Sequence, residues 1–262
     1  MNGATITAPA HWRCIDFISD LHLQASLTDT FDAWQRYMAR TQADALFILG
    51  DLFEVWVGDD IARVQDDPDG AFALQCQQIL KETSERLPVY FMHGNRDFLL
   101  GEGFANACGM TLLTDPTALD FDRQRWLLSH GDALCLDDLD YQQFRQLVRS
   151  DGWQTAFLAK PLAERQAIAH GLRTQSDARK ASGATYADVD TPMALQWMEV
   201  AQASTLIHGH THHPSDHVLG ELNGKTLRRL VLSDWDAQAS PPRLEVLRLH
   251  SGSAPNRLTL SA

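Results

Sequence analysis

Positive charge is scarce in this 262-residue chain: 22 Lys and Arg stand against 34 Asp and Glu, for a formal net charge of -12. Sequence-independent affinity for a phosphate backbone needs clustered Lys and Arg, so a general nucleic-acid partner is not expected. Long apolar runs are missing too, and none approaches the roughly 18 residues of a membrane span. The opening MNGATITAPAHWR has neither the basic start nor the apolar core of a secretory signal. The four cysteines, Cys14, Cys76, Cys108 and Cys135, lie far apart, form no CxxC pair and sit beside apolar residues, as small buried hydrophobes do. These absences predict a reduced, cytoplasmic setting and leave attachment to a membrane surface open.

What is present reads as one globular domain over residues 1–262, with 44% hydrophobic and 21% charged residues. Five short apolar runs end in polar clusters: CIDFIS then DLHL, DALFIL then GDLFE, PVYFM then HGNRD, RWLLS then HGD, and STLI then HGHTH. Each is strand-like, and its polar residues fall just past its carboxyl end, where ligand sites of layered α/β folds collect. Between them, DTFDAWQRYMAR puts Phe31, Trp34 and Met38 on one helical face, and AFALQCQQILKETSERL is a second helical stretch. Near the C-terminus, TLRRLVLSDW and PRLEVLRL are expected to form an antiparallel pair about a Pro-Pro turn. An α/β sandwich of two sheets follows.

Residues 137–202 are mostly helical in pattern and form a candidate insertion. Within it, positions 145–180 carry Arg145, Arg149, Lys160, Arg165, Arg173, Arg179 and Lys180 against Asp151, Glu164 and Asp177. Two readings stand here: an amphipathic helix pair with a solvated basic face, or a cap that meets anionic lipid.

The polar strand ends gather Asp20, His22, Asp51, Asn95, His130, His210 and His212. Seven oxygen and nitrogen donors suffice for two divalent cations sharing one carboxylate, and the absence of cysteine among them points away from a structural zinc site. His208, His213 and His217 fall outside this spacing and are expected to be solvated bystanders. Asp97 and Asp132 are expected to orient the ligands beside them.

This ordered set resembles the calcineurin-like metallophosphoesterases, whose motifs run DxH, GDxx, GNH(D/E), H and GHxH. The resemblance implies a four-layer αββα sandwich. It also implies one cation on Asp20, His22, Asp51 and His212 and another on Asp51, Asn95, His130 and His210. Arg96 departs from the superfamily, which usually has His after the Asn. Arginine lacks a transferable proton but offers a permanent cation with a planar fork, which suits a diphosphate whose leaving group is itself a phosphate. The competing reading pairs Arg96 with the adjacent Asp97.

GDLFEVWVGDD, HGNRDFLLG, GMTLL, SHGDALCLDDLDYQQFR and LIHGHTHHP resemble, more narrowly, the UDP-2,3-diacylglucosamine hydrolases of lipid A biosynthesis. That resemblance implies Mn²⁺ and attack of water on the α-phosphorus of UDP-2,3-diacylglucosamine, giving UMP and 2,3-diacylglucosamine 1-phosphate (lipid X). It implies lipid X contacts at Asn95, Arg96, Asp138, Ser176 and His210. Gly183 stands where the family commonly has Lys, which leaves Lys180 or Arg179 to supply that contact, and His213 replaces a common Arg. The insertion becomes a cap whose apolar cleft takes the acyl chains, on a protein peripheral to the cytoplasmic side of the inner membrane. The other readings are a related phosphoesterase acting on nucleotides or phosphodiesters, and a noncatalytic scaffold on the same fold.

Overall fold

A strand with apolar residues at consecutive positions has two faces to bury, so it needs a layer on each side. The computed structural model meets that need; it describes residues 4–181, 187–222 and 224–261, and the backbone alone for 175–181. The chain runs β1 (Ala4–Thr7), β2 (Cys14–Ile18), α1 (Thr28–Arg40), β3 (Ala45–Leu49), α2 (Pro68–Ser84), β4 (Val89–Met92), α3 (Glu102–Cys108), β5 (Met110–Leu113), β6 (Thr117–Phe121) and β7 (Gln124–Leu128). Four helices follow: α4 (Leu139–Val148), α5 (Asp151–Leu158), α6 (Leu162–Ala181) and α7 (Thr191–Ala201). The remainder is β8 (Thr205–His208), β9 (Ser215–Leu222), β10 (Lys225–Val231), β11 (Glu245–His250) and β12 (Asn256–Thr259).

Two six-stranded sheets result, in the orders β1-β6-β7-β8-β10-β9 and β12-β11-β2-β3-β4-β5. Alternation decides what each strand faces. Ile15 and Phe17 of β2 and Ala45, Phe47 and Leu49 of β3 enter the core between the sheets, where they meet Trp126, Leu128 and Ile207. Their neighbours Ile18, Leu46 and Ile48 turn the other way, onto Phe31, Trp34 and Met38 of α1 and Cys76 and Leu80 of α2. On the second sheet Leu127 and Leu206 face outward against Ala194 and Met198 of α7. The layers are therefore helix, sheet, sheet, helix. Trp34 and Met38 are fully buried, as the 3.6-residue period requires. The Asp67 carboxylate caps α2, accepting from Asp69 N at 2.8 Å and Gly70 N at 3.2 Å, with Pro68 in its first turn.

Two expectations fail. TLRRLVL and LEVLRL are not paired with each other: β10 lies between β8 and β9 in one sheet, and β11 lies between β2 and β12 in the other. A Pro-Pro pair ends a strand but does not choose its partner, and here the connection crosses between sheets. Of the two readings of the basic stretch, the solvated face does not hold for most of the described cations. Arg145 Nε donates to Asp132 at 2.8 Å, Arg149 Nη2 to the Gly94 carbonyl at 2.8 Å, and Arg173 pairs with Glu54. Arg165, 2% exposed, reaches Asp60 and the Val57 carbonyl. Lys160 pairs with Glu164 one turn on, and the side chains of Arg179 and Lys180 lie outside the described residues. Four of the seven cations are thus spent on joining these helices to the body.

Candidate metal centre

The loops after β2, β3, β4, β7 and β8 meet at one end of the sandwich. Backbone bonds tie the first two together: Asp20 N donates to Gly50 O at 3.0 Å, His22 N to Asp51 O at 3.0 Å, and Leu23 N to Leu52 O at 2.9 Å. Asp20, His22, Asp51, His210 and His212 all have left-handed backbones, with φ of 55°, 49°, 52°, 68° and 54°. Such a conformation costs a non-glycine residue about 1 kcal/mol or more, and it persists where surrounding contacts over-determine it. Gly50, at φ 91°, packs so closely that an added Cβ would stand 2.5 Å from His130 Nδ1 and 2.7 Å from Gly94 Cα.

Two clusters form. Donor atoms of Asp20, His22 and His212 lie within 4.8 Å of one another, as do those of Asp20, Asp51 and His130. Asn95 Oδ1 is 3.0 Å from His130 Nε2 and 2.8 Å from His210 Nδ1. All seven predicted ligands are therefore brought to one place.

The donor chemistry fits divalent cations. His130 Nδ1 lies 2.9 Å from the Leu49 carbonyl, which accepts its proton and leaves Nε2 facing the cluster. His22 Nδ1 lies 2.7 Å from the Glu54 carboxylate, so its Nε2 likewise turns inward, 3.2 Å from His212 Nε2. This pattern, in which one ring nitrogen is anchored and the other directed at a shared point, is how proteins aim histidine at a metal. Burial opposes charge on His130, yet Asp51, Asp20 and Asp132 raise it to about 9. Burial would likewise raise the Asp20 carboxyl, but the His212 hydrogen bond and the charges of His212, His130 and His22 hold it well below the carboxylate range. So anionic a site favours positive charge, which a divalent cation supplies in place of protons.

Asp97 is fully buried and accepts from Leu52 N at 2.7 Å, Gly94 N at 2.9 Å, and Asp51 N and Phe53 N at 3.3 Å, so it shapes the loops of Asp51 and Asn95. Burial and the nearby Asp51 push it up to about 7. Asp132, also buried, accepts from Tyr141 Oη at 2.5 Å and Arg145 Nε at 2.8 Å. Burial raises its carboxyl, but His130, Arg145 and Arg149 hold it below the usual range.

With the Asp97 oxygens occupied by amides, Arg96 does not pair with it. Among the described residues Arg96 makes no ion pair, and its Nε is buried without a hydrogen-bond partner. Its backbone N–H donates to Asp51 Oδ1 at 2.8 Å, which places the residue at the rim of the cluster. Burial opposes charge on Glu54, but the His22 hydrogen bond and the charges of His22, Arg96 and Arg173 hold its carboxyl down.

The remaining predicted positions fare differently. Asp138 is half-buried and caps α4, accepting from Tyr141 N at 3.1 Å. The side chains of Ser176 and Lys180 lie outside the described residues, as does Gly183. His208 is not a solvated bystander: it is fully buried at the end of β8, where burial lowers it to about 4. His213 is exposed and His217 half-buried. Sequence reading missed Glu54 and Tyr141, whose ring stacks on His210 at 5.9 Å between centroids. Glu54 sits in the quoted GDLFE, and its place three residues after Asp51 was the available signal.

Residues 15–214 match the family model described as calcineurin-like phosphoesterase. A UDP-2,3-diacylglucosamine hydrolase of Aeromonas hydrophila is 44% identical over 86% of this chain and 91% of its own length. One of Chromobacterium violaceum is 46% identical over 84% and 90%, and one of Stenotrophomonas maltophilia 41% over 90% and 94%. The chain belongs to the UDP-2,3-diacylglucosamine hydrolases, within the calcineurin-like phosphoesterases.

Proposed function

We propose that this protein is the metal-dependent hydrolase that splits the pyrophosphate of UDP-2,3-diacylglucosamine at the α-phosphorus, releasing UMP and lipid X for lipid A synthesis. The observation that carries the reading is Arg96, a cation without an ion-pair partner among the described residues, beside a cluster of carboxylates and imidazoles. Asp20, His22, Asp51 and His212 would hold one cation, and Asp51, Asn95, His130 and His210 the other. Two such ions, Mn²⁺ in this reading, supply a nucleophile from water at neutral pH and neutralise phosphate charge.

The chain's own side chains do the rest. Arg96 grips the diphosphate oxygens with a fork that neither histidine nor lysine offers. It has no proton to give, and the departing sugar phosphate needs none, since a phosphate is already a stable anion near neutrality. Glu54 and the Leu49 carbonyl keep His22 and His130 turned inward, and Asp97 holds the Asp51 loop.

Residues 137–202 act as a cap on the single domain. Below α6 a cavity of about 410 Å³, lined by Leu23, Phe53, Trp56, Ile61, Phe72 and Arg173 among others, is the cleft for acyl chains. A larger cavity of about 740 Å³, at Asp120–Arg125 and Lys225, lies at the opposite, amino end of β7, away from the candidate ligands. Asp138, Ser176 and Lys180 would contact the sugar phosphate. No helix among the described residues is long and apolar enough to cross a membrane. With Arg145, Arg149, Arg165 and Arg173 turned inward, the cap would meet the inner-membrane surface through exposed Leu139, Leu147, Leu158 and Leu172. Vesicle binding that survives Leu139→Ser with Leu147→Ser but vanishes in high salt would reverse that assignment.

The decisive assay incubates the protein with Mn²⁺ and UDP-2,3-diacylglucosamine in ¹⁸O-water. UMP carrying the label, with unlabelled lipid X, is the expected result. Label in the sugar phosphate would contradict the point of attack, and faster turnover of p-nitrophenyl phosphate would favour a general phosphoesterase.

A further inference from the structure

Arg149 caps the carboxyl end of α4, and its guanidinium spans two loops of the centre. Its Nη2 donates to the Gly94 carbonyl at 2.8 Å, lies 3.8 Å from Asp132 Oδ2, and its charge sits 5.3 Å from the centre of the Phe98 ring. The side chain is only 21% exposed, so water screens these contacts little.

The carbonyl it holds is unusually consequential. Gly94 N donates to Asp97 Oδ1 at 2.9 Å, so Asp97 in the body and Arg149 from α4 grip this residue at its two ends. The next residue is Asn95, whose Oδ1 faces both His130 and His210, and the next N–H, of Arg96, donates to Asp51. Rotation of the Gly94–Asn95 peptide would move Asn95 and Arg96 together. Glycine resists such rotation least, and nothing larger fits, because an added Cβ would overlap Asp51. Something outside the loop has to fix that carbonyl, and among the described residues Arg149 is the side chain that donates to it.

We propose that Arg149 is a positioning residue: by holding the Gly94 carbonyl from α4 it sets where Asn95 and Arg96 stand against His130 and Asp51, so that docking of α4 completes the centre. Its kinetic consequence rests on the hydrolysis proposed above; its effect on metal affinity does not. A planar fork can serve Gly94 and Asp132 at once while lying on Phe98, whereas lysine can satisfy one of them.

The test titrates Mn²⁺ into wild type, Arg149→Met and Arg149→Lys, reading free Mn²⁺ by electron paramagnetic resonance, with thermal melting alongside. Both variants should melt cooperatively near wild type, yet bind Mn²⁺ about tenfold more weakly, the scale of losing a group that orients a ligand. With UDP-2,3-diacylglucosamine, kcat should fall by a similar factor and KM change little. Should Arg149→Met fail to fold, Arg149→Lys decides. Unchanged Mn²⁺ titrations in a folded variant would overturn the role of Arg149, and so would losses that appear only with a collapsed melting transition. Wild-type protein that binds Mn²⁺ but leaves the substrate intact would instead sink the proposed function.

Discussion

The strand-end loops hold their side chains with backbone, whereas the helices between β7 and β8 reach the same centre with cations. In the first region amide hydrogen bonds, left-handed residues and the buried Asp97 carboxylate fix the backbone of Asp20, His22 and Asp51, with Glu54 orienting the His22 ring. In the second, Arg145, Arg149 and Arg173 bridge to Asp132, Gly94 and Glu54. A backbone lattice shares strain over many bonds, with Asp97 gathering four of its amides. Cationic bridges concentrate docking in a few groups, each removable by one substitution. The difference teaches that the body fixes its loops through backbone, whereas helices α4 to α6 dock through side chains.

Removing a donor from the body region should have the largest effect. Asp51→Ala deletes the carboxylate shared by both proposed cation sites. Hydrolysis is expected to fall by several orders of magnitude, while circular dichroism stays that of the wild type. Activity surviving in thoroughly chelated protein would show that no metal is needed. Next comes Arg96→Ala, expected to lower kcat/KM by about 10² to 10³, the loss of one preorganised donor, with metal content unchanged. Lysine there should restore only part, and an Arg96→His enzyme as fast as wild type would remove the case for a bidentate grip.

A smaller effect is expected from the second region. Arg145→Met takes one charged hydrogen bond from buried Asp132 but leaves Tyr141 and Arg149 beside it. A loss of about 1.5–3 kcal/mol in local stability should follow. Faster amide exchange confined to α4 would register it, and uniform exchange across the molecule would show that the two regions are not separable in this way. The smallest concerns Asp188, which accepts both arms of the Arg229 guanidinium at 2.8 and 2.9 Å. The Arg229 bond, against some burial, lowers its carboxyl from 3.8 to about 2. A depressed carboxyl stabilises the fold above its unfolded pKa and loses that contribution as pH falls through its folded one. The melting difference between wild type and Asp188→Asn should be full above about pH 5 and fade toward about pH 2; a constant difference would assign it to packing.

Much of the body was legible because its physics is local. Apolar runs of strand length, followed at once by polar residues, located β2, β3, β4, β7 and β8, and a 3.6-residue period located the buried face of α1. The edge strands β1 and β9 escaped because they are short or half-exposed and carry little apolar signal. His208 was misjudged because spacing cannot distinguish a buried strand end from a loop.

The partners of charges were the least legible. The surplus of cations between positions 145 and 180 was plain, but whether each met water, lipid or carboxylate was not, since Asp60 and Glu54 lie far away in the chain and even Asp132 is beyond the reach of helical spacing. The pairing of β10 and β11 failed for the same reason, because backbone donors are alike and only the assembled layers choose among them. By itself the sequence determined the five strands that carry the centre, the candidate ligand set and the exchange of a proton donor for a permanent cation at position 96, all of which depend on residue type and near spacing. The tertiary structure alone decided that Arg96 stands apart from Asp97, that Arg145, Arg149, Arg165 and Arg173 face inward, and that Gly94 is held from both sides. Those outcomes depend on which distant groups compete for the same charge and the same space once the chain has closed.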